Sequence, residues 1–295
     1  MTEGHEVIVA ADGYPLQFLQ QHFPSLQFIE LHSYNIRYSK SKTQVFAMIR
    51  NLPFILLGIL KEHHWLKQWT KFEKPDQVIS DNRFGLWCRQ THTVFITHQL
   101  MIKLPMSMKL LEPLLWLIHR LIIIQFNECW IPDQANNENF SGDLSHLYPL
   151  PHKAKFIGIL SRFSLIKVIR PDITFQVVAI VSGLEPQRTL FANYLLKRFK
   201  SSPFKTLILA GQPDTLEITH QVGSITYVSH RSDSEIASFL LGAEKIVARS
   251  GYTTIMDLAT LGCLDKTEWF PTPGQTEQEY LATIIKSKKS AESTI

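Results

Sequence analysis

The stretch Ala248–Leu261, ARSGYTTIMDLATL, decides how the rest of the chain is read. An apolar run ends at Ala248, Arg249-Ser250-Gly251 turns, and a helical pattern begins with Thr253 and Thr254 in its first turn. A strand–turn–helix step of this kind leaves backbone N–H groups free at the helix start. With the helix dipole they favour an anion such as phosphate. Asp257, about one turn further along, is placed to accept hydrogen bonds from ribose hydroxyls. The plainer alternative is a capped helix after a glycine turn, with no ligand.

A similar step stands earlier, at Val181-Ser182-Gly183-Leu184-Glu185-Pro186-Gln187-Arg188. It lacks the full G-x-G-x-x-G, which argues against a dehydrogenase-type dinucleotide site. Two Ser-Gly turns at carboxyl ends of strands still fit a ligand site on an open α/β sheet. A third candidate, Phe270–Glu279 (FPTPGQTEQE), is a proline-glycine loop crowded with amides and carboxylates at a helix start. Gln275, Glu277 and Gln278 there suit sugar hydroxyls; a solvated capping loop is the alternative.

Outward from these turns, short β-branched runs alternate with longer helical patterns, which predicts α/β architecture. Strands are expected at Glu6–Ala10, Leu26–Leu31, Gln77–Ser80, Thr93–Thr97 and Glu128–Ile131. A second set is Lys155–Leu160, Phe175–Val181, Thr206–Ala210, Ile225–Val228 and Lys245–Ala248. Runs such as Val177–Val181 are apolar on both faces, as in parallel strands covered by helices on both sides. Helices are expected at Tyr14–His22, Val45–Phe72, Met108–Gln125, Gln187–Lys200, Asp233–Ala243, Thr253–Leu261 and Glu277–Lys286. Pro53 should break or kink the second of these. Pro132–Asp143 reads as a loop, another loop runs through Pro171, and the tail from Lys286 reads as frayed. The division is placed near residue 153, giving units 1–153 and 154–295. Both ends look incomplete, lacking a preceding strand–loop–helix and the last elements of the second sheet.

The 295 residues are 45% hydrophobic and 19% charged, a globular balance that excludes a disordered chain or a coiled coil. Net charge is +4, divided +1 and +3 about residue 153, so there is no basic half and no nucleic-acid partner is expected. Cys88, Cys129 and Cys263 form no C-x-x-C pair, which points to a reducing compartment. No leader pattern opens the chain. The apolar stretches Leu52–Leu60 and Leu110–Phe126 fall short of the roughly 20 residues of a spanning helix, so a soluble or peripheral protein is expected. There is no H-E-x-x-H, G-x-S-x-G or G-K-[ST], so no metal site, serine nucleophile or P-loop is expected.

In the first unit, Asp81 follows one strand and His98 ends the next, and both are candidates to face one cleft. His98 could act as a base, since an imidazole titrates near neutrality; a structural histidine is the alternative. Arg37–Lys74 holds eight basic residues against Glu62 and Glu73, with Leu56, Leu57, Ile59, Trp65 and Trp69 among them. Such a stretch suits an anionic membrane surface, or a buried helix with a charged outer face.

The ordered set DNRFG, THQ, SGLEPQR, RSGYTTIMDLATLG and PTPGQTEQEYLA resembles GT-B glycosyltransferases of the kind that includes the bacterial MurG transferase, with the glycosyltransferase family 28 type of carboxyl-terminal domain. The resemblance covers most of the chain and is most specific in 175–282. It implies two Rossmann-like domains whose parallel sheets face a cleft, the second binding a UDP-sugar, commonly UDP-N-acetylglucosamine, and the first an acceptor. By position it assigns donor binding to Ser182, Gly183, Arg188, Arg249, Ser250, Gly251, Thr253, Thr254, Asp257, Gln275, Glu277 and Gln278. Asp257 stands where the family usually has glutamate, and Glu277 where it has histidine. The family's G-x-G-H loop has no counterpart ahead of Gly4-His5-Glu6-Val7, which resembles its second strand, and Gly262–Trp269 fits its next strand poorly.

The activity this resemblance implies is metal-independent, inverting sugar transfer with His98 or Asp81 as base and no cofactor beyond the UDP-sugar co-substrate. The expected place is the cytoplasm or the inner face of its membrane, touched through 37–74 and 108–126, with a lipid-linked acceptor among the open choices. Two rivals stand beside it: a UDP-sugar 2-epimerase, and a non-catalytic nucleotide-sugar-binding remnant.

Overall fold

The computed structural model describes residues 4–31, 44–166, 174–212 and 219–292. Arg37, Lys40 and Lys42 of the basic stretch, and the loop at Pro171, lie outside these residues. Two strands, β1 (Ile8–Ala11) and β2 (Gln27–Glu30), pair in parallel, joined through helix α1 (Gly13–His22). Helix α2 (Gln44–Glu73) then runs for 30 residues with Pro53 inside it, so the expected break does not occur. Loss of one ladder hydrogen bond is outweighed by the helix on either side.

Strands β3 (Gln77–Asp81) and β4 (His92–Ile96) open a four-stranded, wholly parallel sheet. Helix α3 (Glu112–Ile123) leads to β5 (Glu128–Ile131), and the short α4 (Asp143–His146) leads to β6 (Ala154–Phe156). The strand expected at Lys155–Leu160, grouped with the second set, is β6. It pairs with β5 and extends the first sheet past residue 153. The helix expected over Met108–Gln125 starts as a 3-10 turn, Met106–Leu111, and Pro113 opens α3 where a missing N–H is harmless.

The polarity of α3 is reversed. Glu112, His119 and Ile123 are buried, while Leu114, Leu117, Ile118 and Leu121 face out, spaced three and four residues apart, and Leu110 of the preceding 3-10 turn is exposed as well. Beneath it, Phe95, Phe126, Cys129 and Ile131 close the core of this unit. Trp65 and Trp69 of the basic stretch pack partly buried against Leu66 and Leu31, whereas Leu56 and Leu57 are exposed.

The second unit starts with β7 (Val177–Ile180), α5 (Gln187–Phe199), β8 (Thr206–Leu209), β9 (Thr219–Val222) and β10 (Ile225–Val228). It continues through α6 (Asp233–Gly242), β11 (Lys245–Ala248), α7 (Tyr252–Thr260), β12 (Thr267–Trp269) and α8 (Thr276–Glu292). The sheet order is β12-β11-β7-β8-β10-β9, parallel except for the edge strand β9. Alternate residues of β7 explain the two-faced pattern: Val177 and Ala179 meet Leu195 and Phe199 of α5, and Val178 joins the layer of α6, α7 and α8. Each large apolar side chain so buried contributes roughly 2 kcal/mol.

The strands β9 and β12 were not expected, and the tail expected to fray from Lys286 continues as helix to Glu292. The chain enters this sheet at β7, steps outward through β8 and β10, then returns to the other side of β7 as β11. That reversal opens a crevice between the carboxyl ends of β7 and β11, where open α/β sheets take their ligands.

Candidate functional site

Both Ser-Gly turns lie at this crevice. Ile180 is opposite Ala248 in the ladder, so Ser182-Gly183 and Arg249-Ser250-Gly251 leave the sheet side by side and diverge. Gly183 has φ +104°, a backbone in which a side chain would be strained, and open space lies where its Cβ would be. Gly251 is the N-cap of α7, and among the described residues no side chain caps the helix. Its first-turn N–H groups, beside exposed Thr253 and half-buried Thr254, carry the positive end of the dipole into the crevice. Arg188 ties the first turn to its neighbours, bonding Glu185 at 2.9 Å and the Gly211 carbonyl at 3.0 Å.

The remaining expected donor residues have protein partners. The Arg249 guanidinium is buried over the Phe191 ring and donates to the Phe270 and Pro271 carbonyls. No carboxylate among the described residues joins it, and desolvation pushes its pKa down to about 10. Its Nε is buried without a hydrogen-bond partner among the described residues. Ser250 donates to the Gln278 carbonyl at 2.7 Å. Gln278 in turn bonds Gln275 at 2.6 Å and accepts from the Thr272 N–H at 2.9 Å, folding the Phe270–Glu279 loop on itself. Asp257 is buried and accepts from Ser161 at 2.6 Å and from Arg162 at 3.1 Å. Desolvation nevertheless raises its pKa, with Ser161 and Arg162 pulling it down.

The first sheet supplies the opposite wall. His98, just beyond β4, lies with its ring flat on Tyr252 of α7, centroids 4.0 Å apart and planes 3° from parallel. Its Nε2 is 2.9 Å from Glu277 Oε1 in the first turn of α8. The Tyr252 hydroxyl donates to the Pro132 carbonyl just past β5, and Thr276 donates to the Lys103 carbonyl. The carboxyl edges of the two sheets therefore face each other. Asp81, at the end of β3, is exposed, while partial desolvation by the surrounding protein raises its pKa, opposed by the charge of His98. The structure thus brings together His98, Asp81, Glu277 and the α7 turn, and turns Arg249 and Asp257 into the protein.

Sequence reading missed Tyr252, Ser161, Arg162 and the Lys103–Asp143 pair at 2.8 Å, over which Tyr280 sits. Of these only Tyr252 had a signal, lying inside the quoted turn. A separate groove of about 1070 Å³ runs along the edge strand β12 between Phe140, Trp269 and Ile285, outside the cleft.

No protein-family model and no curated protein matches the sequence. Solved structures do share the fold. The glycotransferase of kitacinnamycin matches with a TM-score of 0.55 at 12% identity, over 98% of this chain and 89% of that one. Arabidopsis thaliana UGT89C1, solved with UDP-L-rhamnose, matches at 0.54 and 11%, over 97% and 76%. CalG4, the calicheamicin glycosyltransferase, matches at 0.51 and 10%, over 98% and 88%. The architecture is that of GT-B glycosyltransferases, two Rossmann-like units with parallel sheets.

Proposed function

We propose that this chain transfers a sugar, N-acetylglucosamine in our reading, from a UDP-sugar to an acceptor by a metal-independent inverting mechanism of the MurG-like kind. One observation carries the reading: an uncapped helix N-terminus at the β7–β11 switch point faces His98 and Asp81 on the opposite wall. The α7 N–H groups and the Ser182-Gly183 turn would hold the diphosphate and stabilise the charge that develops as UDP leaves. His98 would take the proton of the acceptor hydroxyl, with Asp81 beside it. The UDP-sugar is co-substrate, and no cofactor enters the scheme.

The acceptor we favour is lipid-linked, met at the inner face of the cytoplasmic membrane. The outward apolar face of α3 and of the 3-10 turn before it supports this, with Leu110 96% exposed and Met106 85% exposed in that turn. The exposed charges there, Lys109 in the turn and Arg120 on α3, are both basic, which suits anionic lipid. Leu52, Phe54, Leu56 and Leu57 with Lys61 offer a second such surface on α2. Among the described residues no helix is long and apolar enough to cross a membrane.

The test is isothermal titration of the chain with UDP and UDP-N-acetylglucosamine, beside Thr253→Asp. An exposed carboxylate in the first turn of α7 complements the dipole, so the fold is kept while the diphosphate is repelled. Micromolar to millimolar binding, weakened at least tenfold in the variant, is expected. A folded wild-type chain that binds neither nucleotide refutes the reading.

A further inference from the structure

Glu277 occupies a position that sequence assigns to sugar hydroxyls, yet its carboxylate is already engaged. Its Oε1 meets His98 Nε2 at 2.9 Å, joining α8 of one unit to the turn after β4 of the other. The imidazole is held flat by Tyr252, which is itself buried and pinned by its bond to Pro132, 2.9 Å long. A carboxylate facing Nε2 makes that nitrogen the N–H donor, and the lone pair of the neutral ring is then on Nδ1. Nothing among the described residues hydrogen-bonds Nδ1. The titratable groups facing the ring are Glu277 from α8, Tyr252 from α7 and Asp81 from the end of β3. Of the two carboxylates, Glu277 is the one in hydrogen-bond contact.

We propose that Glu277 is the positioning residue for His98, fixing the Nε2–H tautomer and the ring orientation so that Nδ1 receives the acceptor's proton. This rests on the reading of His98 as the base. As the acceptor oxygen bonds the anomeric carbon, its proton passes to Nδ1. The bond from that carbon to the UDP oxygen breaks, and its electron pair leaves with UDP. The imidazolium so formed keeps its Nε2–H on the Glu277 carboxylate, which stabilises the new charge. The role differs from donor reading in what it predicts, because it acts on the chemical step and leaves donor affinity alone.

The experiment uses the full chain labelled with ¹⁵N-histidine, with the His98 tautomer read from ring nitrogen shifts. Release of UDP from UDP-N-acetylglucosamine, with and without acceptor, is measured on the same samples. Glu277→Ala should lose the single Nε2–H tautomer and lower kcat about 10- to 100-fold, the range for loss of the partner that orients a metal-bound histidine. The donor KM should stay within about twofold. Glu277→Gln, whose amide oxygen still accepts from Nε2–H, should keep the tautomer and recover part of kcat. A tautomer unchanged in Glu277→Ala overturns the proposal, as does a raised donor KM at wild-type kcat. A wild-type chain that releases no UDP while its tautomer still depends on Glu277 refutes the transfer reading but leaves the control of the tautomer standing.

Discussion

Helices α6 and α7 start at the same edge of the same sheet, one after β10 and the other after β11, yet their first turns are finished differently. The start of α6 is closed by its own side chains: Ser232 accepts from the Glu235 N–H, and Glu235 accepts from the Ser232 N–H at 3.0 Å. At α7 a glycine, with no side chain to cap the helix, stands in the capping position, and no side chain among the described residues answers the first-turn N–H groups. The first arrangement makes a stable helix end and the second leaves unsatisfied donors beside His98. On the proposed reading, a binding surface is made in this fold by withholding a cap as much as by adding a ligand-specific residue.

The sharpest way to break the contrast is to give α7 the cap of α6. In Gly251→Ser/Thr254→Glu the two residues stand at the same relative positions as Ser232 and Glu235. UDP affinity should fall by more than about a hundredfold, since the donors are satisfied and a carboxylate sits in the crevice. Stability should be unchanged or higher by a few tenths of a kcal/mol. Titration calorimetry beside a melting curve reads both, and retained affinity would show that α7 does not hold the diphosphate.

The reciprocal change, Ser232→Ala, should cost about 1 kcal/mol and lower Tm by a few degrees, with UDP binding intact. A parallel loss of binding would mean that the two helix starts are not independent.

The smallest effect is a pH slope from Asp257, which α7 carries into the interior, whereas α6 has Asp233 and Glu235 in its first turn. Because the folded-state pKa of Asp257 is raised, its contribution to stability is full below pH 3.8 and fades as pH rises through the folded value. Melting curves between about pH 3 and 6 should show a shallow decline that Asp257→Asn flattens. The same decline in both proteins would point to another group.

The alternation of strands and helices was legible because it rests on local periodicity, as in β7, where odd and even residues serve different layers. The edge strands were not. β9 is Thr219–Val222, exposed at every position, and β12 is only Thr267–Trp269, so neither carries an apolar pattern to read. The α7 turn was legible because its chemistry is local, a serine, a glycine and two threonines in sequence. The partners of Asp257 and His98 were not: Ser161 lies 96 residues from Asp257, and Glu277 lies 179 from His98. Arg249 shows the limit of residue type as a guide. The resemblance assigns it to donor binding, and its partners in the fold, the backbone carbonyls of the next loop, are not visible from residue type.

Helix α8 has a consequence for how the molecule comes apart. Leu281, Ala282 and Ile285 belong to the second core, while Thr276, Tyr280 and Lys288 bond Lys103, Asp143 and Asn137 of the first unit. Gly142, at φ +51°, lies against the Tyr280 hydroxyl and the Ile284 Cδ1, so a larger residue there would strain the backbone and push both side-chain tips aside. Heat that loosens the second core withdraws that strut from the first, so the opening of one unit is coupled to the stability of the other.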